Sequence, residues 1–195
     1  MGVPKLVDHH ERRAAVVDAL LAVVRRAGMA GATVRAVAAE AGLSPGALRH
    51  YVSSQAELVE LATRVVSDRV TARIRDLGPA RSIDELVEVL AQVVPLDEER
   101  RAETEVWLAL VVESRTDERL VPLAAETHDG LRGIAESVVG GIAPGLSSAD
   151  ALTEADRLHA LVDGLALHGV LHPEQVTAQR ARAALRAHLE ELAGR

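Results

Sequence analysis

TVRAVAAEAGLSPGALRHYVSSQAEL, residues 33–58, holds two short helical segments separated by a glycine. Val34, Val37, Ala38 and Ala41 share one face of a helix that begins after Thr33, whose hydroxyl suits the N-cap position. Gly42 tolerates the positive φ of a tight turn, and Ala38, four residues earlier, is small enough for two helices to cross there. Ser44 is a second N-cap. Pro45 stands at the first helical position, where its missing N–H costs nothing, and opens a short helix to Tyr51. Val34, Val37, Ala41, Leu43 and Leu48 fill the small core, which is the grammar of a helix-turn-helix. Ala47, Arg49 and His50 then lie off that core, and Arg49 carries the paired donors that match guanine O6 and N7 in a major groove.

Working outward, the chain reads as helices throughout. Its aromatic residues are Trp107 and Tyr51, and its Val and Ile fall at helical spacing rather than in alternation. A first helix from about residue 8 to residue 27 places Val16, Leu20, Val23, Val24 and Ala27 on one stripe, with Gly28 ending it. Ser54 and Glu57 form a capping box for a long fourth helix that stops near Gly78 and Pro79. Ser82 and Glu85 make another, for a helix closing at Pro95. Further helices are expected at 97–114, 117–139, 153–172 and 173–193, with Pro122 kinking or restarting the second of these. Residues 140–151, rich in Gly, Pro and Ser, are expected to form a mobile loop. The expected fold is all-α with about nine helices: a three-helix helix-turn-helix domain over residues 1–53, then a helical bundle over 54–195.

The formal charge of −7 argues against a polyanionic partner, but it is unevenly spread. Residues 1–52 hold Lys5, Arg12, Arg13, Arg25, Arg26, Arg35 and Arg49 against Asp8, Glu11, Asp18 and Glu40. A basic head on an acidic body is the pattern of a protein that meets DNA at one end only. There is no cysteine, which excludes disulfides, thiolate metal sites and a catalytic thiol. Every apolar run is interrupted well before bilayer length, so a cytoplasmic chain with no membrane partner is expected.

The ordered set Thr33, Val37, Ala38, Ala41, Gly42, Leu43, Ser44, Gly46, Leu48, Tyr51 and Leu58 resembles the signature of the TetR (tetracycline-repressor) family. The resemblance implies that Thr33, Ser44, Tyr51 and the start of the fourth helix, at Gln55, hold phosphates. It places Arg35, Pro45, Gly46, Ala47, Arg49 and His50 at or near base edges. Three residues depart from the signature: Arg49 stands for a Tyr, Val52 for a Phe and Gln55 for a phosphate-contacting Lys. The last removes one phosphate charge and should shallow the salt dependence of binding. Residues 96–120, LDEERRAETEVWLALVVESRTDERL, and 161–171, LVDGLALHGVL, resemble the C-terminal domain of BetI-like members.

The implied protein is a homodimeric repressor on a pseudo-palindromic double-stranded operator, released by a small-molecule effector and needing no cofactor. Pairing is expected through the last two helices, by Leu158, Leu161, Val162, Leu165 and Ala166 beside Gly164, and by Val176, Ala181, Ala184, Leu185, Leu189 and Leu192. Trp107 is the large aromatic available to an effector pocket, with Glu103, Glu113, His128, His159 and Asp163 as polar contacts. Binding there would move the fourth helix, the expected lever on the head. With no Phe, one Trp and the single Tyr in the head, one subunit cannot build an aromatic cage, so tight choline binding is not expected.

Two other readings stay open. Gln55 in place of Lys leaves room for a helical adaptor whose DNA head has weakened. A helical enzyme is the other; no E-x-x-H pair for a di-iron site occurs, and His168 and His172, four apart, sit at a helix end rather than in a metal site.

Overall fold

The structure, a computed structural model, describes residues 5–49 and 51–194. These form nine α-helices and no strand: α1 (Lys5–Gly31), α2 (Val34–Glu40), α3 (Pro45–Leu48), α4 (Gln55–Leu77), α5 (Ile83–Leu90), α6 (Glu98–Glu113), α7 (Val121–Ile142), α8 (Ser148–Leu171) and α9 (Ala178–Ala193). Short 3₁₀ turns at Ala91–Val93 and Glu118–Leu120 precede α6 and α7. No helix among the described residues is long and apolar enough to cross a membrane.

Local signals set most boundaries. Thr33, Ser44, Ser54 and Ser82 each turn a side-chain oxygen back to accept the amide three residues on, at 3.1–3.2 Å, which satisfies one orphan donor per helix. The two capping boxes close one residue early. Glu57 accepts from the amide and hydroxyl of Ser53, and Glu85 from the amide of Arg81, so each carboxylate grips the residue before its cap.

Several expected boundaries are corrected. The break expected at Gly28 stands, since it takes φ 66° and ψ 174°, outside the helical region, and a further turn of helix, counted with α1, runs from it to Gly31. α3 ends at Leu48 rather than Tyr51. Gly140 and Gly141 lie in the last turn of α7, and α8, capped by Ser147, begins at Ser148, five residues before the expected start, so the loop shrinks to residues 143–147. α9 starts after the Thr177 cap, with residues 173–176 in a turn. Pro122 restarts the chain: it occupies the first turn of α7, where no amide partner is lost.

The apolar stripes meet in two main cores. In the first, Val16, Leu20, Val23 and Val24 of α1 pack with Val37, Ala38, Leu48, Leu58 and Ala62, and α6 contributes Ala102 and Val106. The second joins α5, α7, α8 and α9 around Leu90, Val138, Leu158, Val162, Leu185 and Leu189. Full burial of each such leucine contributes about 1.5–3 kcal/mol. This corrects the expected pairing face: Leu158, Val162, Ala166, Ala181, Leu185, Leu189 and Leu192 are at most 4% exposed within one chain. They lie under their own helices, where no second subunit can reach them. Across α4 and α6, Arg73 donates two hydrogen bonds to buried Glu103, at 2.9 and 2.6 Å, and a third to Gln92 at 3.2 Å.

Candidate nucleic-acid interface

The head is built so that its apolar residues face inward and two arginines face out. Val37, Ala38 and Leu48 are wholly buried, which fixes the rotation of α2 and α3 about their axes. Gly42 has φ 65° in the turn, and the Leu43 amide donates to the Ala38 carbonyl at 2.9 Å, locking α3 across α2. That leaves Arg35, in the first turn of α2, and Arg49, just past α3, exposed, and neither meets a carboxylate among the described residues. Arg26, by contrast, is paired with Glu40 at 3.0 Å.

Each remaining head residue has a definite place. Thr33 and Ser44 are exposed, and while their oxygens accept helix amides, each hydroxyl proton stays available to a phosphate. Pro45 and Gly46 are exposed and Ala47 half-buried beside them. Tyr51 is half-buried against the head core, and His50 lies outside the described residues. Gln55 donates through Nε2 to the Ala32 carbonyl at 3.1 Å, tying the start of α4 to the turn before α2 and leaving one amide hydrogen for another partner. Its position suits a staple more than a charged phosphate grip.

The proposed effector contacts divide. His128 of α7 and His159 of α8 come together, ring centroids 4.6 Å apart, and His159 Nε2 lies 3.5 Å from the Asp163 carboxylate. Burial pushes the Asp163 carboxyl up, against the opposing pull of the two histidines. Glu103 is engaged elsewhere; its carboxylate is held by Arg73 of α4. Trp107, one turn after Glu103, is half-buried. His168 and His172 stack at 5.8 Å at the exposed end of α8.

One contact was invisible in the sequence. The Met29 amide, freed where α1 bends at Gly28, donates to the Glu105 carboxylate of α6 at 2.8 Å. The body therefore grips the head through α6 as well as through α4.

Comparison with known proteins accounts for both halves. Residues 16–62 match the bacterial regulatory proteins of the tetR family, and residues 82–194 match the BetI-type transcriptional repressor C-terminal domain. The chain belongs to the TetR family. It is 36% identical to the HTH-type transcriptional regulator PksA of Bacillus subtilis (strain 168), over 97% of this chain and 94% of that one. Among solved structures, it is similar to a transcriptional regulator from Rhodococcus sp. Rha1, with TM-score 0.80, 30% identity, and coverage of 93% of this chain and 96% of that chain. A regulator from Saccharomonospora viridis solved in complex with choline shares the fold at TM-score 0.75 and 23% identity, covering 93% of this chain and 96% of that one. As a TetR family member the chain is a DNA-binding transcriptional regulator, and its helix-turn-helix head is the part that carries this function.

Proposed function

We propose that the protein is a cytoplasmic repressor that holds a pseudo-palindromic operator as a homodimer and leaves it when a small molecule binds the helical body. The observation that carries this reading is the pair Arg35 and Arg49, both exposed and meeting no carboxylate among the described residues, on a head whose core fixes the rotation of α2 and α3. Arg49 has the donor geometry for a guanine edge, while the capping hydroxyls of Thr33 and Ser44 and the Tyr51 phenol suit phosphates. Two heads on one duplex would sit about 34–36 Å apart, or a multiple of that, to meet successive grooves.

Pairing through α8 and α9 remains the best reading, by their outward stripes. Ala160, Leu167 and Leu171 of α8 and Ala183 and Ala187 of α9 are exposed, with half-buried Gly164 allowing close approach. The effector pocket we assign to Trp107, His128, His159 and Asp163, leaving Glu103 to its ion pair. Choline is a poor candidate because the aliphatic body has no aromatic cage to offer. Micromolar choline affinity by calorimetry would count against this.

A salt titration with a fluorescent duplex tests the whole reading. A DNA regulator loses affinity steeply and log-linearly as salt rises, with a residual sequence preference. Binding that ignores both salt and sequence would instead support the adaptor.

A further inference from the structure

Between head and body lies a cleft of about 640 Å³, within the range of small-molecule sites. Leu108 and Val112 of α6, Met29 at the α1 bend and Val170 of α8 line it, together with Thr33 and Gln55 of the head. Two carboxylates, Glu105 and Glu113, face this largely aliphatic space, and no basic side chain lines it. Glu105 is engaged with the Met29 amide. Glu113 is half-buried with no hydrogen-bond or ion-pair partner for its carboxylate among the described residues. Burial, and secondarily the charge of Asp117, pushes its carboxyl above the ordinary range, the mark of a negative group short of counter-charge.

That combination selects for one ligand chemistry. An anion is repelled by both carboxylates. A neutral apolar body gains the walls but leaves Glu113 desolvated and uncompensated. A bulky cation gains the walls and supplies the missing charge. A small hydrated cation would leave most of the volume unfilled.

We propose that this cleft binds a bulky lipophilic organic cation, and that Glu105 reports its presence to the head. A cation beside Glu105 competes with the Met29 amide for the carboxylate. Met29 directly follows the Gly28 bend, so loosening that bond frees the direction in which α2 leaves α1. The site is distinct from the one assigned to Trp107, His128, His159 and Asp163; only the effect on DNA rests on the repressor reading above.

The test uses the full chain and tetraphenylphosphonium as the probe. Calorimetry should show saturable micromolar binding, weakened about tenfold or more by Glu113→Gln and by Val112→Lys, and little changed by Trp107→Leu. Val112 is 67% exposed, so the lysine places a repelling charge at the cleft without entering the core. Neutral triphenylphosphine oxide, of similar body, should bind about tenfold more weakly than the cation. Absence of saturable binding, equal binding of the oxide, or loss in Trp107→Leu with both cleft variants unaffected would overturn the proposal. On a selected duplex, the probe should release wild type and fail to release Glu105→Gln; equal release would remove Glu105 from the relay. A chain that holds no duplex sinks the repressor reading, and the calorimetric arms still decide the cleft.

Discussion

Glu105 accepts a hydrogen bond from the amide of Met29 at 2.8 Å, although 76 residues separate them. It joins α6 of the body to the bend in α1. Glu105→Ala strands a partly buried amide, so it should cost about 1–3 kcal/mol, whereas Glu105→Gln keeps an acceptor and should recover most of it. Urea denaturation of the two variants decides; equal losses would show that the contact carries no stability of its own.

Gly28 and Gly42 both hold positive φ but are not equivalent. Gly28, at φ 66° and ψ 174°, occupies a region closed to side chains, and a methyl there would meet only Glu105 Oε2 at 3.6 Å. The penalty is therefore in the backbone. Gly28→Ala should lose about 1–3 kcal/mol, and Gly42→Ala, with open space around it, about 1–2 kcal/mol from left-handed strain alone. Gly28→Ala should also lower operator affinity beyond its effect on stability, because the bend aims α2; a duplex titration at matched folded fraction measures this.

Arg49→Ala should relax base preference at one position per half-site by about 1–3 kcal/mol, because a bidentate contact to a base edge carries sequence information. Selection of bound fragments from random DNA reads this out. An unchanged motif would move Arg49 from base edge to backbone.

Leu167 and Leu171 are 37% and 57% exposed, so a charge at either should spare the fold. Leu167→Asp and Leu171→Glu are each expected to weaken self-association about tenfold or more, seen by sedimentation, with operator affinity falling in parallel. A dimer that survives both variants must use another face.

Glu113 gives a pH signature with a defined sign. Its carboxyl is raised in the folded chain, chiefly by burial, so the folded state holds the proton more tightly than the unfolded state. Stability from this group is full at low pH and is lost as pH rises from the ordinary value of 4.5 through the raised one. Glu113→Gln should therefore be the more stable protein at about pH 7 and lose that advantage by about pH 4. Glu57, Glu88 and Asp117 shift in the opposite direction, held down respectively by hydrogen bonds from Ser53, Arg182 and Arg119, and lose stability on acidification in both proteins alike. A Gln advantage independent of pH would place its cause in packing.

What could be read from the chain was local. The caps at Thr33, Ser44, Ser54 and Ser82, the proline opening α3 and the positive φ of Gly42 each depend on a few neighbouring residues, so sequence spacing reports them directly. Boundaries slipped where two signals competed. Gly140 and Gly141 look like loop residues, yet the apolar spacing of Val138 and Val139 carries α7 through them.

The candidate site was half legible for the same reason. Arg35 and Arg49 stand off the head core because the helical period puts them there. An amphipathic stripe, though, says that a face is covered and is silent about what covers it. So Leu158, Leu185 and Leu189 looked like a surface for a second subunit and are core of one chain. Glu103 looked like a ligand contact and is bound to Arg73, while Glu105, two residues on, carries the link to the head.

By itself the sequence determined the helices, their caps and the outward arginines of the head, since periodicity and capping act within a turn or two of chain. Only the tertiary structure decided which apolar face meets which, where α6 touches the bend in α1, and that Glu105 and Glu113 share a cleft. Those pairings join residues far apart in the chain, and their energies come from burial and geometry that exist only once the helices have packed.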